Sequence, residues 1–277
     1  MILQSFLSAS SGKSLSKAPP IIESAVRVYS YRKIIPDYVG DCIRVRRSSD
    51  NGEADIGFSG GLLDQTALLA HTGAGGTDQG FIVTWHDQGT TADFTQAAAG
   101  RQTQIVTNGV VNVDSNSNVF SDHTGRGLFN TTGPTITQPF SYFLVAQNEE
   151  LSSAAVRMVD GSGGRIIIGV QSAAITVYGT HAGTWLNSSI TVDQGVKRNF
   201  TTLYDSTNSE FYLNNSLEAS GDAGSNSLSG QAISINATGA NNPRGDGNYY
   251  ELLVFDVDVS ADRAEILDNQ NAFYNLF

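Results

Sequence analysis

The chain has 277 residues, 40% of them hydrophobic and only 16% charged, with a formal net charge of −11. That length permits one large all-β domain burying roughly three-quarters of its unfolded surface. The acidic balance excludes a nucleic-acid groove, which needs a basic stripe, and attachment to anionic lipid. One cysteine, Cys42, excludes a disulfide framework. No apolar run approaches the roughly 20 residues of a membrane span, so membrane insertion is not expected.

Residues 1–23 are Ser-rich and end near Pro19 and Pro20. They lack the basic start and long apolar run of a secretory signal, and read as an extended assembly arm that a neighbouring subunit orders. Residues 24–277 read as one domain. Ser24 as N-cap, with Val26 and Tyr29 on one face, predicts a short helix from Ser24. "CIRVRRSSDNGEADIGF" (42–58) predicts a strand, a polar turn and a return. Arg44 and Arg46 then face away from Ile43 and Val45, toward Asp50, Glu53 and Asp55 across the turn. "LDQTALLAHTG" predicts a helix capped by Asp64, stapled by Leu63 and Leu68 and stopped by Gly73.

Strands follow at 81–86, 140–147, 165–170, 210–214, 232–236 and 249–257, separated by Gly, Asn, Asp and Ser clusters. A last helix begins at Ser260, with Ile266, Leu267, Phe273 and Phe277 on one face. The pattern is an antiparallel β-sandwich. The four histidines, His71, His86, His123 and His181, show no paired spacing, so no zinc site or other cofactor is expected.

Three passages carry a resemblance: "VYSYRKIIPDYVGDCIRVRRSSDNGEADIGF", "LLDQTALLAHTGAGGTDQGFIVTWHDQ", and the stretch from "TLYDSTNSEFYLNN" to "YYELLVFD". Together they resemble the concanavalin A/laminin G-like jelly roll of the arabinofuranosidase B catalytic domain, in a form found in bacteriophage virion proteins. The resemblance covers about residues 25–277 and implies an all-β jelly roll with a few short helices. It also implies a retaining carboxyl pair about 5–5.5 Å apart. The acid/base place falls on Ala240, and the span Gly161–Val192, where the nucleophile belongs, contains no Asp or Glu. Asp246 is the nearest substitute acid.

The resulting expectation is a virion structural protein, on a tail fibre, tail tip or capsid surface, that binds without catalysis. Its partners would be other virion proteins through the arm, copies of itself as a trimer, and a host surface glycan. The expected sugar contacts are Trp85, Asp87 and Gln88 on one side, and Trp185, Asn241, Asn242 and Asp246 on the other. For Trp85, Asp87 and Gln88 the competing assignment is core packing and turn closure. The alternative function is an arabinofuranosidase-type glycoside hydrolase.

Overall fold

The structure is a computed structural model describing residues 18–90, 92–129, 135–149, 156–161, 165–172, 175–228, 233–238, 242–243 and 245–277. It is nearly all-β, as the strand pattern predicts. One layer runs in the pairing order Arg27–Ser30, Gly247–Phe255, Phe140–Asn148, Lys197–Tyr204, Ser209–Leu213, Ser216–Gly221, every pair antiparallel. The second layer begins with Glu53–Ile56, Ile43–Arg47 and Gly80–Trp85. It continues through Phe94–Thr95, Leu128–Phe129, Ile233–Ile235 and Arg157–Gly161. Ile166–Ser172, Ile175–His181 and Trp185–Thr191 complete it. The short strand Ser121–Asp122 joins the layers by pairing with both Gly247–Phe255 and Thr103–Thr107, so the sheet curls toward closure.

Alternation fills the space between the layers. Tyr29, Tyr142, Leu144, Leu252 and Val254 from the first layer share one core with Ile43, Val45, Ile82, Trp85, Val159, Ile168 and Ile235 from the second. The other face of the first layer is covered by the helix Arg263–Tyr274 and the helical turn Pro20–Glu23. There Ile22, Val28, Phe143, Leu253, Phe255 and Ile266 pack together. The expected arm therefore ends in a turn docked on the body, with Ile22 fully buried; residues 1–17 lie outside the described residues.

Two local expectations change. Ser24 closes the Pro20–Glu23 turn instead of opening a helix, and Arg27–Ser30 is a fully buried strand. The β-branched and aromatic residues of "VRVYSY" suit a strand better than a helix, and Gly247–Phe255 offers an edge to pair with. At the other end, Ser260 lies in a 3-10 turn, the α-helix starts at Arg263, and Phe277 is 58% exposed.

The Asp64 cap holds, its Oδ1 accepting from the Ala67 amide at 2.9 Å, and Gly73 ends that helix at φ 84°. The arginine strand is a charge lattice. Arg44 donates to Glu53 (2.7 Å) and Asp55 (2.8 Å), and Arg47 grips both oxygens of Asp50 (2.7 and 2.6 Å). Arg46 instead bonds the neutral side chains of Gln102 and Asn51 and lies over the Phe81 ring.

One buried ion pair ties both ends of the domain to the inner strand Gly247–Phe255. Arg32 donates to Glu251 through Nε (2.8 Å) and Nη2 (3.0 Å). The same carboxylate accepts from Ser30 (2.8 Å), Gln270 (3.0 Å) and Tyr274 (2.9 Å). Burial alone would raise the Glu251 pKa, but Arg32 and these donors hold it below the usual range. Glu251→Gln leaves the Arg32 cation buried without its counter-charge, so it is expected to destabilise by about 3–5 kcal/mol in urea unfolding. Because the folded pKa is lowered, the wild-type contribution is present at neutral pH and is lost as pH falls below the ordinary carboxylate range. Unfolding midpoints of wild type and variant are expected to converge at low pH.

Candidate functional site

The structure separates the expected sugar contacts. Trp85 is fully buried and stacks on Tyr31, ring centroids 4.6 Å apart. Asp87, 2% exposed, accepts from the amides of Val28 (2.7 Å), Gly89 (2.9 Å) and Thr90 (3.2 Å). Gln88 accepts from the Ile34 amide (2.8 Å) and donates to the Arg32 carbonyl (2.9 Å). These three side chains fasten the first strand to the second layer. The polar atoms of Asp87 and Gln88 are occupied inside the protein, and Trp85 is buried with its Nε1 facing no partner, which fits the core-and-turn assignment rather than sugar contact. Asp246 ties two loops, its Oδ1 accepting from the Gly125 amide at 2.8 Å and its carbonyl from the Glu149 amide at 2.9 Å. Asn242 belongs to a short strand pairing with Ala237–Thr238. Asn241 and Ala240 lie outside the described residues.

Trp185 leads to a different site. It pairs with His181, His181 with Ile167, Ile167 with Asp160, and Asp160 with Ser234. Directly paired residues share a sheet face. Val159, Ile168 and Ile235 enter the core, so this row lies on the opposite face. The next row sets Arg157 opposite Gly169, Gly169 opposite Gly179, and Gly179 opposite Asn187. Both glycines are required by close approach. A Cβ on Gly169 would meet the Val156 carbonyl oxygen at 2.2 Å, and one on Gly179 would meet Asn187 Oδ1 at 2.7 Å. The face thus has a low glycine floor beside a polar row.

Around that floor the side chains interact. The Arg157 guanidinium lies 5.3 Å from the Trp185 ring, and the His181 and Trp185 rings are 5.3 Å apart. Asp160 is 2% exposed. Its Oδ2 accepts from Arg165 at 3.2 Å, while its Oδ1 has no partner. Burial pushes its pKa up to about 6, against the opposing pull of Arg165 and Arg157. His181 is shifted the other way: burial lowers its pKa below 6.5 despite the bond to the Arg165 carbonyl. Its Nδ1 lies 2.8 Å from that carbonyl and 3.2 Å from the Gly183 amide. A carbonyl only accepts, and its contact is shorter, so Nδ1 carries the hydrogen and Nε2 keeps its lone pair.

Sequence reasoning missed Asp160 by one position, because it begins its search for an acid at Gly161. It missed His181 by testing histidines only for metal spacing. The readable signal was an acid set directly after the apolar pair Met158 and Val159 in "RMVDG". A second, open cleft of about 300 Å³ is lined by Asp122, Glu149, Asn248 and Phe120. Its acids already accept internal bonds, Asp122 from the Thr124 amide (2.8 Å) and Glu149 from Asn248 (3.1 Å). Among the described residues, no three side chains gather as a metal site.

Comparison with known proteins places this fold. No protein-family profile and no curated protein matches the chain. Solved structures do. A GH54 α-L-arabinofuranosidase soaked with a cyclic sulfate inhibitor aligns at 18% identity and TM-score 0.62. An arabinofuranosidase complexed with arabinofuranosyl-α-1,2-xylobiose aligns at 19% identity and TM-score 0.61. Each alignment covers 90% of this chain and 62% of the other, so the chain spans under two-thirds of those proteins. At such identity the likeness is one of fold. It corrects the expectation that the chain is not an enzyme: the structures it matches are glycoside hydrolases holding inhibitor or substrate, and its fold is theirs.

Asp160 has a folded pKa above its unfolded one, so its contribution to stability is full at pH 4 and below and is lost as pH rises through about 6. Asp160→Asn is expected to remove that loss. Between pH 4 and pH 7 the variant should gain on the order of 2–3 kcal/mol relative to wild type in urea unfolding.

Proposed function

We propose that the protein is a glycoside hydrolase of the arabinofuranosidase type, with Asp160 delivering the proton to the departing glycosidic oxygen. The carrying observation is Asp160 itself: a buried carboxyl with one unpartnered oxygen and a pKa near 6, in the same register row as Trp185 and His181. Such an acid keeps its proton near the pH at which it works. The likeness to arabinofuranosidases along 90% of the chain supports sugar cleavage, and Trp185 supports a stacked sugar ring.

The described row holds a carboxyl and an imidazole rather than two carboxyls. Asp160 and His181 lie on strands two apart, so their Cα atoms are separated by roughly 9–10 Å. Both side chains rise from one face, and an inverting mechanism needs its acid and base groups about 6.5–9.5 Å apart to leave room for a water. In this reading His181 Nε2 takes a proton from water. The water oxygen bonds the anomeric carbon as the C–O bond to the leaving group breaks, and Asp160 protonates that oxygen. A virion surface acting on a host glycan is the setting we propose for this module, supported by the uncharged Ser-, Thr- and Asn-rich composition.

The test is hydrolysis of aryl and alkyl α-L-arabinofuranosides. Asp160→Asn is expected to lower the rate about 10²–10⁴-fold on the alkyl glycoside, whose leaving group needs the proton, and less on the 4-nitrophenyl glycoside. Activity should rise as His181 becomes neutral below pH 6.5 and fall as Asp160 ionises through about pH 6, giving a narrow bell. NMR of the first product should show inverted anomeric configuration. Absence of turnover, retained configuration or an unaffected Asp160→Asn rate would overturn the assignment.

A further inference from the structure

We infer that the open cleft on the outer face of the first layer is a second, non-catalytic site that holds a neutral, hydroxyl-rich sugar chain. It lies on the other layer from Asp160, and binding there does not depend on the hydrolase reading.

Strand pairing builds the cleft. Gln104 pairs with Asp122, Asp122 with Asn248, and Asn248 with Gln147, so four polar side chains form one row. Their neighbours Ala146 and Tyr249 enter the core, so the row lies on the face away from it. The cleft of about 300 Å³ opens over Asp122 and Asn248 and is at the small end of ligand clefts. Phe120 forms one wall. Its ring rests on Tyr250, centroids 5.8 Å apart, so it is fixed in place and only partly covered.

The polar groups are held by the protein and still have oxygens to spare. Asp122 Oδ1 accepts from the Thr124 amide (2.8 Å), and Glu149 Oε1 accepts from Asn248 Nδ2 (3.1 Å) and from Gln147 Nε2. Among the described residues, nothing donates to Asp122 Oδ2, Glu149 Oε2 or Asn248 Oδ1, and none of the three is sealed from solvent. Donors on the cleft wall are already used. Asn112 Nδ2 bonds the Gln104 carbonyl (3.1 Å), and Thr107 Oγ1 bonds Asn112 Oδ1 (2.8 Å). The cleft therefore presents three fixed acceptors, two of them charged, to a ligand that donates.

A ligand with several hydroxyl donors and a C–H face to lay on Phe120 is a sugar. The charge of the cleft selects which kind. Asp122 and Glu149 stand in a chain of net charge −11, and the cation at the end of the row, Lys197, is already paired with Asp114 at 2.5 Å. A uronate is repelled there and a neutral sugar is not. A divalent cation is a poorer match, because calcium takes six to eight oxygens. Among the described residues no three acidic or imidazole groups gather, and Phe120 offers no ligand atom. The cleft and the Asp160 row lie on opposite outer faces of the sandwich, so a chain held here leaves that row open. Held polymer raises the effective concentration of sugar around the whole protein.

The experiment is an amide NMR titration of the full chain with arabinotriose, with trigalacturonate and with calcium chloride. Arabinotriose is expected to shift the backbone amides of Phe120, Thr124 and Glu149 and the side-chain amide of Asn248 saturably, with trigalacturonate at least about tenfold weaker. Asp122→Asn and Glu149→Gln keep the shape of the cleft but turn an acceptor oxygen into a donor. In each the arabinotriose midpoint should rise about tenfold, and in Asp160→Asn it should not move. Absence of saturable shifts at those amides, a midpoint unmoved in either folded cleft variant, or trigalacturonate binding as tightly overturns the inference. So does calcium saturating the same amides at lower concentration than the sugar. Saturable cleft binding without turnover of arabinofuranosides removes the hydrolase reading and leaves this site standing.

Discussion

The Glu251 carboxylate is the fixed point of the fold. Five hydrogen bonds reach it from Arg32, Ser30, Gln270 and Tyr274. Those residues come from the first strand, the segment after it and the C-terminal helix, while Glu251 sits on an inner strand of the first layer. Local propensity cannot hold two chain ends against the middle of a sheet. A buried ion pair can, because any compact arrangement that separates the partners leaves a charge buried and uncompensated. Arg32 also lies 4.8 Å from the Phe273 ring, so the same cation orders the end of the helix. Asp87 and Gln88 repeat the principle with neutral donors, binding the backbone amides of Val28 and Ile34 to the second layer.

With the first layer held in this way, the second has one face outside the shared core. Its far strands, Arg157–Gly161 to Trp185–Thr191, share the core through one face and present the other. The glycines at 169 and 179 lower that second face because no side chain fits there, and the row beside them supplies the acid, the imidazole and the indole. Period-two alternation thus decides both faces at once: Val159 and Ile168 go in, and Asp160 and Ile167 face the other way.

The sequence exposes what is local and periodic. The strand pattern, the Asp64 cap and the pairing of Arg44 with Asp55 could be read because each depends on residues within about a dozen positions. The first strand misled because "SAVRVYSY" offers a cap and a plausible helical face, and only its distant partner 247–255 makes it a strand. Trp85, Asp87 and Gln88 are a sugar-contact motif by residue type; burial, which has no local signature in a polar turn, makes them fasteners. Trp185 reads as an aromatic in a loop region, and the structure places it on a strand beside His181 and Arg157, 4 and 28 positions away.

Two arginine–carboxylate pairs in this molecule show why geometry decides the chemistry. Glu251 and Asp160 are both buried beside an arginine, and burial raises both pKa values. At Glu251 a two-pronged, buried guanidinium and three further donors overcome that push, and the carboxylate stays charged and structural. At Asp160 a half-exposed arginine makes a single longer contact, one oxygen is left empty, and burial wins. The first arrangement stabilises a charge and cannot release it. The second keeps its proton until about pH 6, beside a cation that does not hold it charged.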